Sequence, residues 1–140
     1  MAKLYPLRFE QIFRRYVWGG RKLATLLHKP IGEETCAESW EVVDHGPDQS
    51  IVAAGPLAGT PLSTLVEDRG AELFGRHHPQ QQFPLLLKFL DARQALSVQV
   101  HPDDERAYTI QRPKANNALL IVHILRNMHT RRPASRQKPL

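Results

Sequence analysis

A mainly β fold with one or two short helices and a divergent basic C-terminal tail is what this 140-residue sequence predicts, and three observations carry the prediction. Stretches such as "ESWEVVDHG" and "LSVQVH" alternate apolar and polar residues with the period of a half-buried strand. Only "TPLSTLVEDRGAELFG" shows a helical period over any length, with Leu62, Leu65 and Val66 recurring at spacings of three and four. The charge is also split along the chain. Residues 1–105 hold 11 Lys/Arg against 14 Asp/Glu, a net charge of −3, whereas residues 106–140 hold 8 Lys/Arg and no acid, which accounts for the overall +5. So one-sided a block predicts a solvated extension, an interaction arm, or sequence that did not evolve together with the first unit of residues 1–105.

Composition narrows the class. Hydrophobic residues make up 41% of the chain, enough for one modest core. No window has the apolar length of a bilayer span, and "MAKLYPLRFEQIFRRY" lacks the apolar core of a secretory signal, so a soluble cytoplasmic protein is expected. The single cysteine, Cys36, excludes an internal disulfide framework and a cysteine-rich zinc site, and reads as a small, partly buried filler.

Taken in order, "LYPLRFEQIFRRYVWGG" reads as short extended segments ended by Gly19-Gly20. Arg21 to His28 form a brief helical turn stopped by Pro30. "ESWEVVDHG" and "QSIVAAGPLAG" are two strands, and the Gly46-Pro47 turn predicts a hairpin between them. Thr60 is a candidate N-cap, with Pro61 at the first helical position and Gly70 as a closing residue, for a helix within Thr60 to Phe74. "GRHHPQQQ" is a polar loop. Adjacent His77 and His78 seldom converge on one ion and lack acidic or thiol company, which favours solvated side chains over a ligand pair.

"FPLLLKFLDA" is apolar and short, hence a buried strand, with Asp91 to Gln94 looping into the next one. A lone lysine in such a run, here Lys88, usually snorkels or forms a salt bridge; binding an anion is the less common use. In the following strand Ser97, Gln99 and His101 share one face. Gln-x-His is a two-ligand spacing for a metal such as zinc, but periodicity alone favours a hydrogen-bonded structural face over a metal site.

The blocks "VWGGRKLA", "ESWEVVDH", "GPLAGTPLSTLVEDRGAELFG" and "FPLLLKFLDARQALSVQVHPDDE", in that order, resemble the N-terminal part of the type I mannose-6-phosphate isomerases (phosphomannose isomerases) of the cupin superfold, over roughly residues 5–105. The resemblance implies an incomplete cupin-like jelly-roll barrel. It implies one zinc ion, held in part by Gln99 and His101, with Ser97 and Lys88 near the substrate phosphate. It also implies interconversion of mannose 6-phosphate and fructose 6-phosphate through a cis-enediol, with a cation stabilising the oxyanion. No general base is named by it.

The sequence departs from the family pattern after "HPDDERAY". The family continues to a "GKTE" carboxylate ligand and a later histidine, whereas no Asp or Glu follows Glu105 here. The zinc site is therefore expected to be incomplete, and residues 106–140 read as a frame-shifted or truncated continuation in which "ALLIVHIL" is a short amphipathic stretch. His123 and His129 are candidate substitutes for the missing histidine, with no spacing to favour them. Unpaired sheet edges are expected to promote self-association. A second reading, a binding module whose basic tail takes nucleic acid or an acidic partner, is weaker: the tail offers one aromatic, Tyr108, and no recognised motif.

Overall fold

The computed structural model describes residues 3–96 and 123–126. Its main sheet has four strands in the order β1 (Ile12–Arg14), β2 (Glu38–Val42), β5 (Leu87–Ala92), β6 (His123–Arg126). β1 and β2 are antiparallel, as are β2 and β5, while β6 runs parallel to β5 with Phe89 opposite His123. The mainly β architecture is as expected, and the described strands do not close into a barrel. Two helices, α1 (Lys22–Thr25) and α2 (Leu62–Phe74), interrupt it. Ser97, Gln99 and His101, with the rest of that expected strand, lie outside the described residues, as does most of the basic tail. The described end of "ALLIVHIL", His123 to Leu125, together with Arg126 adds a strand to the β5 edge.

The β2 alternation sorts its side chains onto two faces. Glu38 and Trp40 lie with Arg14, Ile12, Lys88 and Leu90 on one; Ser39 lies with Phe13 and Phe89 on the other. The second face is covered by a cluster of Leu23 from α1, Ile31 and Cys36, with Phe13, Ala24 and Phe89 packed against it. Cys36 is fully buried, beyond the partial burial expected of it as a filler, and its thiol donates to the Glu38 carbonyl at 3.3 Å. Burial pushes that thiol above its ordinary pKa. Cys36 is therefore expected to react with a disulfide reagent at neutral pH orders of magnitude more slowly in the native chain than in denaturant, and rapid native labelling would show that the cluster is open. Because folding raises this pKa, the thiol's contribution to stability is intact below the unfolded value and is lost as pH rises through the folded one; the unfolding midpoint should fall at alkaline pH.

Three local expectations need correction. The hairpin forms only at its tip, where β3 (Asp44–His45) pairs with β4 (Asp48–Gln49) around Gly46, at φ +54. β2 itself is already paired on both sides, so Ile51 and Val52 instead bridge to Pro61 and Phe9. At α2 the N-cap is Pro61, not Thr60: Pro61 is extended and its carbonyl accepts the Leu65 N–H at 3.2 Å. Pro61 itself offers no side-chain cap, and the first amides find partners elsewhere: Leu62 N–H donates to the Ser50 carbonyl at 2.8 Å and Ser63 N–H to the Gln49 side-chain Oε1 at 3.3 Å. Nor does Gly70 close the helix. The chain kinks at Arg69 (φ −134°, ψ 22°) and runs on to Phe74, where Gly75 with φ +53 ends it.

Asp91 is the third correction. It belongs to β5 rather than to a loop, and only 1% of it is exposed. Its carboxylate accepts the Lys22 N–H at 2.5 Å, taking one of the unpaired amides at the start of α1. The helical turn itself stands where the sequence placed it. His28, at φ +52, reverses the chain two residues before Pro30.

Candidate functional site

Lys88 is the one expected site residue among the described residues, and its surroundings follow from the register. Trp40 stands opposite Lys88 and Glu38 opposite Leu90, so Glu38 lies diagonal to Lys88 on the same face. Lys88 Nζ donates to Glu38 Oε1 at 2.9 Å and lies 5.8 Å from the Trp40 ring centre. Trp40 Nε1 donates to the other carboxylate oxygen at 2.6 Å. Only 12% of the Lys88 side chain and 8% of that of Glu38 are exposed. The salt-bridge reading of this lysine is therefore correct. Arg14 extends the group, with its guanidinium 4.5 Å from the Trp40 centre and an ion pair to Asp48.

Chemically, the group is a nearly buried cation and carboxylate beside an aromatic plate. An ammonium has three N–H donors, and the Glu38 bond uses one, so Lys88 has donor capacity for an anion as well. Sequence reasoning missed Glu38. The signal was present: a second charge in a strand whose neighbour carries a lone lysine, at a position the alternation puts on the same face.

The opposite face carries a separate polar cluster. Glu41 Oε1 accepts from Ser39 Oγ at 2.5 Å and Lys29 Nζ at 2.9 Å, and Lys29 lies 5.0 Å from the Phe89 ring centre. A register shift between Trp40 and Val42 sets Glu41 in a bulge of β2. With its buried lysine stem and hydroxyl partner, this cluster ties the Lys29 loop to the sheet.

His77 and His78 are exposed beside α2, and Arg76 Nε donates to His77 Nε2 at 3.1 Å. Among the described residues no three His, Cys, Asp or Glu side chains gather as a metal site. The metal question thus falls on Gln99 and His101, outside the described residues. No helix among the described residues is long and apolar enough to cross a membrane.

The order of strands and the pairing of Lys88 with Glu38 can be set beside known proteins. The sequence model of the phosphomannose isomerase type I catalytic domain matches residues 6–120. The chain belongs to the type I phosphomannose isomerase family. It is 43% identical over 103 residues to the probable mannose-6-phosphate isomerase GmuF of Bacillus subtilis, covering 74% of this chain and 32% of that protein. Identity to the mannose-6-phosphate isomerase of Streptococcus mutans is 39% over 106 residues, 76% of this chain and again 32% of the relative. The crystal structure of the mannose 6-phosphate isomerase from Bacillus subtilis superposes with a TM-score of 0.68 at 35% identity, covering 75% of this chain and 33% of that one. The chain thus spans about a third of the length of the relatives it matches.

Proposed function

We propose that this chain supplies the substrate-phosphate side of a cytoplasmic, zinc-dependent mannose-6-phosphate isomerase, and that alone it turns over little or no substrate. The observation that carries the reading is the family match across residues 6–120, which takes in β1 to β5 and the Gln-x-His segment. Mannose-6-phosphate isomerase is also what its relatives are named.

In this reading Lys88 and Ser97 hold the sugar phosphate. Lys88 is anchored for that role, because Glu38 fixes its Nζ and the Trp40 ring lies beside that ammonium. Glu38 also cancels part of the lysine's charge, so phosphate affinity at Lys88 alone is modest and needs the Ser97 hydroxyl as a second donor. The isomerisation moves a proton between C2 and C1 of the opened sugar, a step that requires a base and stabilisation of the developing enediolate oxygen. Zinc, when bound, supplies that stabilisation as a Lewis acid. Gln99 and His101 are the positions of this chain that would hold it. A catalytic zinc ordinarily has three protein ligands, and two is one too few.

The coupled conversion of mannose 6-phosphate to fructose 6-phosphate, measured with added zinc beside a Gln99→Ala/His101→Ala variant, tests this. Turnover is expected at the background level of the variant. Robust zinc-dependent turnover that the double variant abolishes would show that the remaining residues complete the site.

A further inference from the structure

We propose that Arg14 is a further binding residue for the sugar phosphate: its guanidinium, seated on the Trp40 ring beside Lys88, exchanges the Asp48 carboxylate for the oxygens of the substrate's phosphate. The inference rests on the phosphate-side reading above and adds to it the cation that carries the charge.

The sheet register brings two cations to one ring. Arg14 stands opposite Glu38 in the β1–β2 pair and Lys88 opposite Trp40 in the β2–β5 pair, so the two flank β2 from either side on the same face. The Arg14 guanidinium lies 4.5 Å from the Trp40 centre, and Lys88 Nζ lies 5.8 Å from it.

Their charges are not equally available. The Lys88 ammonium donates to Glu38 Oε1 at 2.9 Å with both side chains nearly buried, so a phosphate arriving there meets donors but little net charge. Arg14 is paired too, but with Asp48 at the hairpin tip, where 30% of the Arg14 side chain and 34% of that of Asp48 are exposed. Ion pairs this exposed contribute little to stability and are screened by salt. Asp48 sits in the two-residue strand β4, and turning its carboxylate out to solvent leaves the β3–β4 backbone pairing in place. The pair is thus built to open where the Lys88–Glu38 pair is built to stay closed.

The chemistry of the ligand favours the exchange. A guanidinium offers two parallel N–H donors to two phosphate oxygens, and its weak hydration suits a seat over an indole. A phosphate monoester is largely a dianion at neutral pH, so it competes for that fork with more charge than a single carboxylate has.

Thermal unfolding of the full chain in mannose 6-phosphate tests this, with mannose and sodium chloride at matched ionic strength as controls. A ligand that binds the native state raises the midpoint with its concentration, and that dependence gives the affinity. Arg14→Gln is expected to weaken the affinity about tenfold or more, the loss of a charge-assisted hydrogen bond. Arg14→Lys keeps the charge without the fork and should fall between. Asp48→Asn removes the competing carboxylate and should tighten binding by up to about fivefold. A merely structural ion pair would lower the midpoint in these variants and leave the affinity alone.

Parent-like affinity in Arg14→Gln, or weaker binding in Asp48→Asn, overturns the proposal. If Ser97→Ala weakens binding while Arg14→Gln does not, the phosphate-side reading stands without Arg14. If Arg14→Gln weakens binding and Ser97→Ala does not, the role of Arg14 is upheld and that of Ser97 is not. A parent chain that responds no more to mannose 6-phosphate than to sodium chloride overturns both.

Discussion

Replacing Lys88 by methionine is expected to destabilise the chain by about 3–5 kcal/mol, the range for removing one partner of a buried ion pair. The cause lies in what is left behind. Glu38 has 8% of its side chain exposed, and its Oε1 would lose the ammonium 2.9 Å away, leaving a carboxylate with the Trp40 N–H on its other oxygen. Methionine matches the lysine stem in length, so little of the effect comes from lost packing. The compensating change is Glu38→Gln, which keeps an acceptor for Trp40 and removes the charge. Urea denaturation of Lys88→Met, Glu38→Gln and the double variant should therefore give a strongly non-additive cycle, with the double variant recovering more than half of the Lys88→Met loss. A loss below about 0.5 kcal/mol for Lys88→Met, the size of an ordinary surface change, would show that water reaches the pair. The same cycle bears on function: an anchored lysine is expected to give up stability and phosphate affinity together, whereas one held only by solvent would lose affinity alone.

How much of this arrangement the residues disclose depends on the range over which they act. Strand alternation placed β2, a short apolar run placed β5, and Leu62, Leu65 and Val66 placed α2, because local patterning reports what is buried. The ends of α2 were less legible. Pro61 became the N-cap because the partners of the first helical amides, Ser50 and Gln49, come from another part of the chain, which no capping rule read from Thr60 could anticipate. Gly70 stays within the helix, buried, where an added Cβ would lie 3.2 Å from His78 Nδ1; its small size fits close packing rather than a stop.

The hairpin reading failed for a related reason. Local turn chemistry at Gly46-Pro47 was correct, but β2 pairs with β1 and β5, strands far away in sequence, and only the tip remained for local pairing. Lys88 shows the same limit at the site. Its type and strand were evident, while its partner Glu38 lies 50 residues earlier and becomes apparent only through the register. The resemblance to the isomerases did not supply Glu38 either, because it pointed Lys88 toward a substrate phosphate rather than toward a partner within the sheet.

Gly19→Ala is expected to destabilise the chain by about 3 kcal/mol, the upper end of ordinary overpacking costs, and to exceed Gly20→Ala. The two glycines sit in the same stitch between the first segment and the sheet, yet an added methyl meets different obstacles. At Gly19 it would lie 2.6 Å from the Ala37 nitrogen and 2.7 Å from the Cys36 carbonyl carbon, both backbone atoms. Those atoms cannot swing away, since Cys36 N–H donates to the Gly20 carbonyl at 2.9 Å and Ala37 N–H to the Arg14 carbonyl at 2.9 Å. At Gly20 the methyl would meet the Asp91 carboxylate at 2.5 Å, a side chain that can rotate once its bond to the Lys22 amide is given up. Denaturation of the two variants should rank them in that order, and the exposed Val17 and Tyr16 should shift with Gly19 because they enter the sheet through it. Equal midpoints for Gly19→Ala and the parent would mean that the first segment is not stitched to β2 and β5 as described.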